Sequence, residues 1–378
     1  MIPKTKSNAP PQAGGAFFER NFNGREIVMG QVSFIRREDT NAIKGIALIF
    51  MLIHHFFTFP QWWPENVSYP VIEKVAKFFN QPFAICVPIF AFLTGYFYYS
   101  TTLSVGTRCY KYSIRKCTDL WVQYLFTFGL LLIPAVLLGC YEFHVMRFAM
   151  ECAGLYLPTM KFCWYVVFYW MAIFILPFFA RGCDKNPVLS VLASVLIPVG
   201  LSKVLEPFAG NAVIGVVYDL STYLIRFSGV ASGFVFAKYR LFEKITDFNK
   251  ESGKPIRILM HVLLSLIAFL GVGNGEVLGA VAAPMFIFGL VELFHEIKDR
   301  KLLMPLAVLG KYSLSIWFLH SIFFNQCEAY TKPILYLPQS PVLVFLWGLG
   351  LCLIAAVLIE IPIRFLTKLK NKALDVVC

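Results

Sequence analysis

The sequence predicts an all-α membrane protein, a polytopic helical bundle with about ten transmembrane helices. Of its 378 residues, 58% are hydrophobic and 15% are charged, whereas soluble domains carry about 25% charged residues. The mean hydropathy is +0.67. The apolar residues are also grouped in stretches of about 20, the length of a helix that crosses a bilayer. These observations predict one helical membrane domain that takes up nearly the whole chain.

The apolar stretches predict the individual spans. Gly271, Gly273 and Gly275 mark a tight turn inside the apolar region 256–294. One helix over that region is too long for a bilayer, so the region forms either two spans or a re-entrant pair that leaves eight spans. With two spans there, the predicted set is 41–59, 82–100, 120–140, 162–180, 187–204, 219–237, 256–273, 276–294, 307–326 and 341–363.

The positions of lysine and arginine predict the orientation. Most of the 34 Lys and Arg residues fall in the N-terminal tail, in every second loop and in the C-terminal tail. The positive-inside rule then predicts that both termini are cytoplasmic. A plasma or inner membrane is the expected location. The net charge of +12 is explained by topology and by contact with anionic lipid, and it gives no indication of nucleic-acid binding.

The predicted domain organisation is simple. Residues 1–40 are polar and lack the apolar core of a signal peptide, which predicts a flexible cytoplasmic tail. Residues 41–370 form the transmembrane domain, and 371–378 a short cytoplasmic tail. The ten cysteines show no CxxC pair and no Cys/His spacing of a metal site. Most cysteines lie in or beside spans, where a free thiol acts as a small apolar side chain. The alternative for Cys152 and Cys163, which bracket the second outer loop, is a disulfide if the compartment is oxidising.

The first span, NAIKGIALIFMLIHHFFTF, carries the most specific pattern. Lys44 and His55 are eleven residues apart, so on a helix they share one face at a separation of about 16 Å, while His54 points about 100° away. An ionisable pair on one face of a membrane helix is costly, which predicts a functional site. The alternative is a basic anchor at one membrane surface and a histidine pair near the other.

Small residues within the spans predict where helices touch. Gly45, Gly95, Gly229 and Gly233 lie inside predicted spans. In a membrane, glycine lets two helix backbones approach closely. We therefore expect close helix packing at these four positions.

Six short motifs follow one another along the chain, and in content and order they are similar to those of a known family. They are KGIALIFMLIHH (44–55), IFAFLTGYFYY (89–99), CWY (163–165), FSGVASGFVFAK (227–238), GKYSLSIWFLHSIFF (310–324) and IEIP (359–362). They resemble the segments of the membrane-bound acyltransferase-3 family, whose first span has an arginine, ten residues and a histidine. Lys44 stands in the position of that arginine. The resemblance covers about 41–370, essentially the whole membrane domain.

The resemblance implies transfer of an acyl group, usually acetyl from cytoplasmic acetyl-CoA, to a hydroxyl of a glycan or related acceptor at the membrane. It assigns His55 as general base on the acceptor hydroxyl, because a neutral imidazole accepts a proton at physiological pH. Transient acyl transfer to His55 is the alternative. Lys44 would orient or neutralise the phosphates of the donor, although lysine lacks the bidentate fork of arginine.

Further donor contacts are predicted from the basic loop between the second and third spans. Its charges suit the phosphate groups of coenzyme A, and an equally basic loop is expected from topology alone. The residues are Arg108, Lys111, Arg115 and Lys116, of which Arg115 and Lys116 are assigned to the donor. His320 stands where the family has its second histidine, and it is predicted to position the donor. Its alternative role is a hydrogen bond in helix packing.

Acceptor contacts are predicted at Arg226, Trp164 and His54. Arg226 lies about two turns inside the sixth span, where an arginine must pair or line a wet cavity, and Asp219 is its candidate partner. Trp164 is predicted to stack on a sugar, or else to anchor the helix end at the membrane surface.

Two other functions stay open at this point. A transporter or flippase would also carry charges at depth, with pseudo-twofold halves around a central cavity. The second alternative is a non-catalytic relative of the family that binds the donor without turnover. The acceptor, the acyl chain length and the oligomeric state have no recognisable signal in the chain.

Overall fold

The computed structural model describes the chain as a helical bundle preceded by a small sheet. The described residues are 19–20, 26–28, 31–32, 34–105, 109–157, 159–160, 162–248, 253–271 and 276–377. Strands β1 (Glu19–Arg20), β2 (Glu26–Val28) and β3 (Gln31–Val32) pair antiparallel in the order β1-β2-β3, with Ile27 opposite both Glu19 and Val32.

Within the described residues, sixteen α-helices follow. They are α1 (Arg37–Phe57), α2 (Pro70–Phe83), α3 (Cys86–Val105), α4 (Cys109–Leu137), α5 (Val145–Cys152), α6 (Trp164–Lys185), α7 (Pro187–Leu205), α8 (Ala212–Leu224), α9 (Phe227–Tyr239), α10 (Leu241–Phe248), α11 (Lys254–Gly271), α12 (Glu276–Glu296), α13 (Met304–Lys311), α14 (Ser313–Leu319), α15 (Glu328–Leu335) and α16 (Pro341–Val377). Short 3₁₀ turns cover Pro60–Trp62, Glu206–Phe208, Arg300–Leu303 and His320–Phe323.

The predicted fold class is confirmed. Among the described residues, eight helical segments are long and apolar enough to cross a membrane, and a ninth is formed by a bent pair. The predicted span 82–100 corresponds to α3, a helix of 20 residues without a charged side chain. The region 256–294 contains two separate helices, α11 and α12, while Gly273 and Gly275 of the predicted turn lie outside the described residues.

Two helix ends differ from the prediction. Helix α1 begins at Arg37 because a capping interaction starts it early: the Arg36 backbone N–H donates to Asp39 Oδ2 at 3.3 Å. Helix α16 continues beyond 363 to Val377, through the predicted C-terminal tail. An ion pair one turn apart, Arg364 Nε to Glu360 Oε1 at 3.0 Å, supports this extension.

Two predicted spans are broken. The sixth consists of α8 and α9, which meet at a turn over Ile225 and Arg226. The ninth bends by 49° between Lys311 and Ser313. The bend directs α14 and its 3₁₀ turn, which starts at His320, toward the C-terminal half of α1.

Helix α1 is central, since it contacts α2, α3, α12, α13, α14 and α16. Its contact with α13 brings two backbones together. A Cβ added at Gly45 would lie 2.1 Å from the carbonyl oxygen of Leu306, and one at Gly310 would lie 1.7 Å from that of Asn41. No larger residue fits at either position without separating the helices, so the prediction for Gly45 is confirmed.

The contact between α3 and α9 is equally close. A Cβ at Gly95 would lie 1.8 Å from the carbonyl oxygen of Val230, and one at Gly233 would lie 2.0 Å from that of Phe92. At Gly229 the nearest atom would be 3.1 Å away. Because lipid is as apolar as the helix surfaces, such close approach is a main source of stability between membrane helices.

Candidate active site

A cavity of about 970 Å³ lies between α1, α3, α4, α6, α14 and α16. It reaches from Arg37 and Lys368, near the predicted cytoplasmic ends of α1 and α16, to Cys163 and Trp317, close to the start of α6. Aromatic and apolar side chains, among them Phe90, form much of its wall. This volume lies within the range of pockets that hold small molecules.

Cations dominate the charge of the cavity. Arg37, Lys44, Lys116 and Lys368 line it, and within the described part of the chain none of the four has a carboxylate at ion-pair distance. A fifth cation, Arg364, is paired with Glu360. Arg37, Lys116 and Lys368 are exposed, whereas Lys44 is partly buried. Water and salt therefore screen the first three, and Lys44 attracts an anion in the cavity most strongly.

The structure separates the two predicted donor contacts of the basic segment. Lys116 lines the cavity and lies 5.6 Å from the ring centroid of Tyr112. Arg115 is exposed and does not line the cavity, because consecutive residues of a helix point about 100° apart. Arg108 lies outside the described residues.

Sequence reasoning missed Arg37 and Lys368. Lys368 lies beyond the predicted end of the last span, so only the helical extension of α16 carries it to the cavity. That extension is held against α4 by Lys370, whose ammonium group contacts Asp119. No local motif marks either cation.

His55, in the C-terminal half of α1, pairs with His320, the first residue of the 3₁₀ turn after α14. His55 Nδ1 lies 2.7 Å from His320 Nε2, within hydrogen-bonding distance. The two rings are nearly parallel, with centroids 4.9 Å apart. His320 is fully buried, and its Nδ1 is hydrogen-bonded to the backbone carbonyl of Trp317. Two residues 265 positions apart in the chain thus form one unit.

The hydrogen bonds assign the protons of this pair. A carbonyl oxygen only accepts, so the Trp317 carbonyl requires the hydrogen of His320 to be on Nδ1. A neutral His320 then has its lone pair on Nε2, which accepts from the Nδ1–H of His55. The remaining nitrogen, His55 Nε2, is therefore unprotonated and available as a base.

Aromatic side chains surround the pair. Phe162 stacks on His55 at 4.1 Å between centroids, and its ring is 5.3 Å from that of His320. The Trp317 indole N–H donates to the carbonyl of Phe162 at 3.2 Å. His55 itself does not line the cavity. Trp317, which does, connects the end of the cavity to the pair.

Further aromatic side chains extend from the pair through His54 and Phe162. The ring of His54 is 5.4 Å from that of His55 and 5.0 Å from that of Phe59. Phe59 stacks on Trp62 at 4.1 Å, and Trp62 lies 5.7 Å from Phe162. We call Phe59, Trp62 and Phe162 the aromatic group; all three side chains are partly exposed.

The structure brings Arg226 and Trp164 together. The Arg226 guanidinium lies 4.2 Å from the ring centroid of Trp164, which is a cation–π contact. Arg226 Nη1 also donates to the carbonyl of Thr222 at 3.1 Å. Neither side chain lines the cavity. The contact braces the start of α6 against the break between α8 and α9.

Fold and site define a multi-pass membrane protein with a ligand cavity between its helices. A family model described as an acyltransferase domain, Acyl_transf_3, matches residues 38–361. The chain therefore belongs to this acyltransferase family, and the family resemblance of the six motifs is confirmed. Neither a search of curated proteins nor one of solved structures gives a significant match. The protein is thus a membrane acyltransferase by family.

Proposed function

We propose that the protein transfers an acetyl group from cytoplasmic acetyl-CoA to a hydroxyl of a cell-surface or lipid-linked glycan. The main support is one continuous arrangement. A cavity lined by four cations, for which the described residues supply no carboxylate partner, ends at Trp317. The Trp317 carbonyl is hydrogen-bonded to His320 and through it to His55. Coenzyme A has phosphates at one end and a thioester at the other, and this arrangement suits a molecule of that form.

The donor would bind with its phosphates at the cation end. Lys44 and Lys116 carry charge to the cavity wall, and Arg37 adds a bidentate donor at the rim. The apolar wall near Phe90 suits the pantetheine arm. Lys44 and His55 are about 16 Å apart along α1, so an extended arm is long enough to bring the thioester toward the histidine pair.

His55 would act as the general base. Its Nε2 takes the proton of the acceptor hydroxyl while the hydroxyl oxygen attacks the thioester carbonyl. A C–O bond forms, the C–S bond breaks, and the thiolate of coenzyme A leaves and recovers the proton from His55. His320 holds the His55 ring through the hydrogen bond at Nδ1, which stabilises the imidazolium that forms during the step.

The acceptor would meet His55 from the side of the aromatic group. The C–H face of a sugar ring carries partial positive charge and stacks on the negative face of an aromatic ring. Phe59 and Trp62 offer such faces beside His54 and His55. In the predicted orientation this side is extracytoplasmic, which favours a surface glycan over a cytoplasmic acceptor. A cavity that leads from the cations toward the histidines also favours acyl transfer over transport.

The test is to purify the protein in detergent and to measure acetyl-CoA binding and acetyl-CoA hydrolysis or exchange in parallel. We expect His55→Ala to lose about 10²- to 10⁴-fold in turnover while binding is retained. Lys44→Ala should weaken binding about tenfold, since it removes one charge-assisted contact to phosphate. Lys185→Ala, which removes an exposed charge outside the cavity, is the matched control. Folded wild-type protein that fails to bind acetyl-CoA would remove the donor from the proposal.

A further inference from the structure

Two thiols that are distant in the sequence meet at the predicted outer face. Cys140 lies in the turn after α4, and Cys327 immediately precedes α15. Both pack in one small cluster with Ala135 and Tyr141. Cys327 is 1% exposed, whereas Cys140 is partly exposed. The Cys140 thiol donates to the carbonyl of Leu138 at 3.7 Å, and burial raises the pKa of Cys327 to about 11.

The turn that carries Cys140 is held in one conformation. The backbone N–H groups of Cys140 and Tyr141 both donate to the carbonyl of Ala135, at 2.8 Å and 3.0 Å. Gly139 makes this turn possible, because its φ of +68° lies in the left-handed region that favours glycine. The Cys140 side chain is therefore fixed relative to the end of α4.

The turn that carries Cys327 is held against the turn that carries Cys140. Arg147 stacks over the Tyr141 ring at 4.5 Å, and its Nη2 donates to Gln326 Oε1 at 2.6 Å. The Cys327 N–H donates to Asn325 Oδ1 at 2.8 Å. Arg147 thus clamps the neighbours of both cysteines, so the placement of the two cysteines in one cluster belongs to the packed structure of the two turns.

The compartment favours oxidation of this pair. Helix α4 runs from the cation end of the cavity to Leu137, so the orientation predicted from lysine and arginine puts Cys140 and Cys327 outside the cytoplasm. Disulfides form and persist in such compartments. Cys163 of the pair considered from the sequence is buried, whereas Cys140 is partly exposed; all four cysteines are free thiols in the structure.

We propose that Cys140 and Cys327 form a disulfide in the mature protein, by exchange with a disulfide-bearing oxidant of the outer compartment. Cys140, the more accessible thiol, attacks the oxidant, forms a mixed disulfide and releases one thiol. Cys327 then attacks the Cys140 sulfur and releases the second thiol. Two protein thiols are oxidised to one disulfide, and one oxidant disulfide is reduced to two thiols.

The bond would brace the histidine site from outside. Cys327 follows the 3₁₀ turn of His320–Phe323 by four residues, so the disulfide ties that turn to the outer end of α4. The chain between the two cysteines is long, and closing a long loop restricts the unfolded chain most. The inference is independent of the acyl donor, and its test needs no activity measurement.

The experiment uses the full chain in native membranes, with free thiols blocked by N-ethylmaleimide before solubilisation. Digestion without reductant and mass spectrometry should then give a linked peptide that contains Cys140 and Cys327 and disappears on reduction. Reduction of the blocked protein should release two thiols for wild type. It should release none for Cys140→Ser or Cys327→Ser.

A second set of measurements tests the proposal even if the single Cys→Ser variants do not fold. Cys152→Ser, outside the pair, should keep the linked peptide. Reductant should lower the thermal midpoint of wild type and leave that of the double variant Cys140→Ser, Cys327→Ser unchanged. Complete alkylation of both thiols in unreduced wild type, without a linked peptide, would overturn the proposal.

Discussion

His320 is hydrogen-bonded to Nδ1 of His55, whose other ring nitrogen, Nε2, is the proposed base. Its Nδ1–H is bonded to the Trp317 carbonyl, so its Nε2 accepts from His55 and leaves His55 Nε2 unprotonated. His320 is in this sense a positioning residue. Two separate sequence motifs, 44–55 and 310–324, identified the two histidines. Neither motif indicates that the histidines are hydrogen-bonded to each other.

We expect His320→Ala to lower kcat about 10- to 100-fold with little change in acetyl-CoA binding, because the tautomer and ring orientation of His55 are then no longer fixed. His320→Gln, whose amide offers both an acceptor and a donor, should recover part of the loss. The pH profile of kcat should also move in the alanine variant, since the imidazolium of His55 loses its acceptor. Equal kcat and an unchanged profile in both variants would contradict the positioning role.

Lys116 and Arg115 give a matched comparison of adjacent charges. Lys116→Ala should weaken acetyl-CoA binding about tenfold, because Lys116 lines the cavity. Arg115→Ala should leave the dissociation constant within about twofold, because that side chain is exposed outside the cavity. Isothermal titration of both variants at one ionic strength checks this. Equal losses would mean that long-range charge, and not contact, governs donor binding.

At the scale of elements, helix contacts through glycine carry the arrangement of the site. The backbones of α1 and α13 touch at Gly45 and Gly310, and α13 leads through the bend into α14 and His320. The position of His320 opposite His55 therefore depends on how closely α13 packs on α1. Gly45 could be predicted to lie at a helix contact, whereas its partner on α13 could not.

Gly310→Ala tests this dependence. Its Cβ would lie 1.7 Å from the Asn41 carbonyl oxygen, so the helices must separate, at an expected cost of about 2 kcal/mol or more. Gly350→Ala is the control, because a Cβ there meets nothing within 4 Å. Thermal unfolding in detergent should show a lower midpoint for the first variant alone. A midpoint equal to wild type for Gly310→Ala would show that α1 and α13 move apart easily.

The broken spans show where prediction from pattern stops. The ninth span is apolar apart from a few polar residues such as Lys311 and His320. It predicts a straight helix over 307–326, yet it bends by 49° next to Lys311. Hydropathy reports whether a segment prefers lipid, and it is insensitive to a turn in the middle of an apolar stretch. Hydropathy also missed the extension of α16 beyond 363. A helix that continues outside the membrane need not be apolar, so its residues give no hydropathy signal.

At the scale of the whole molecule, the proposed reaction depends on orientation. The cations of the cavity lie near the ends of α1 and α16 that carry Arg37 and Lys368. The proposed donor, acetyl-CoA, is a cytoplasmic metabolite, so the proposal requires these ends to face the cytoplasm. The count of lysine and arginine in alternate loops predicts the same orientation independently.

Reporter fusions test that orientation. A reporter that is active only in the cytoplasm should be active when joined after Val377, since the positive-inside rule puts the C-terminus there. The same reporter inserted in the outer loop at Glu142 should be inactive, and a reporter that requires export should give the reverse result. Activity of the cytoplasmic reporter at Glu142 would invert the topology and with it the side from which the donor enters.

Taken alone, the sequence determined the class of the protein, the approximate spans, the family and the glycine contacts of α1 and α3. These follow from local composition, from charge counts and from short motifs, all of which depend on neighbouring residues. Only the tertiary structure decided that His55 pairs with His320, that Lys368 and Arg37 join Lys44 in one cavity, and that Arg115 does not. The physical reason is that contacts between residues hundreds of positions apart depend on how helices bend, extend and pack, and no local periodicity records this.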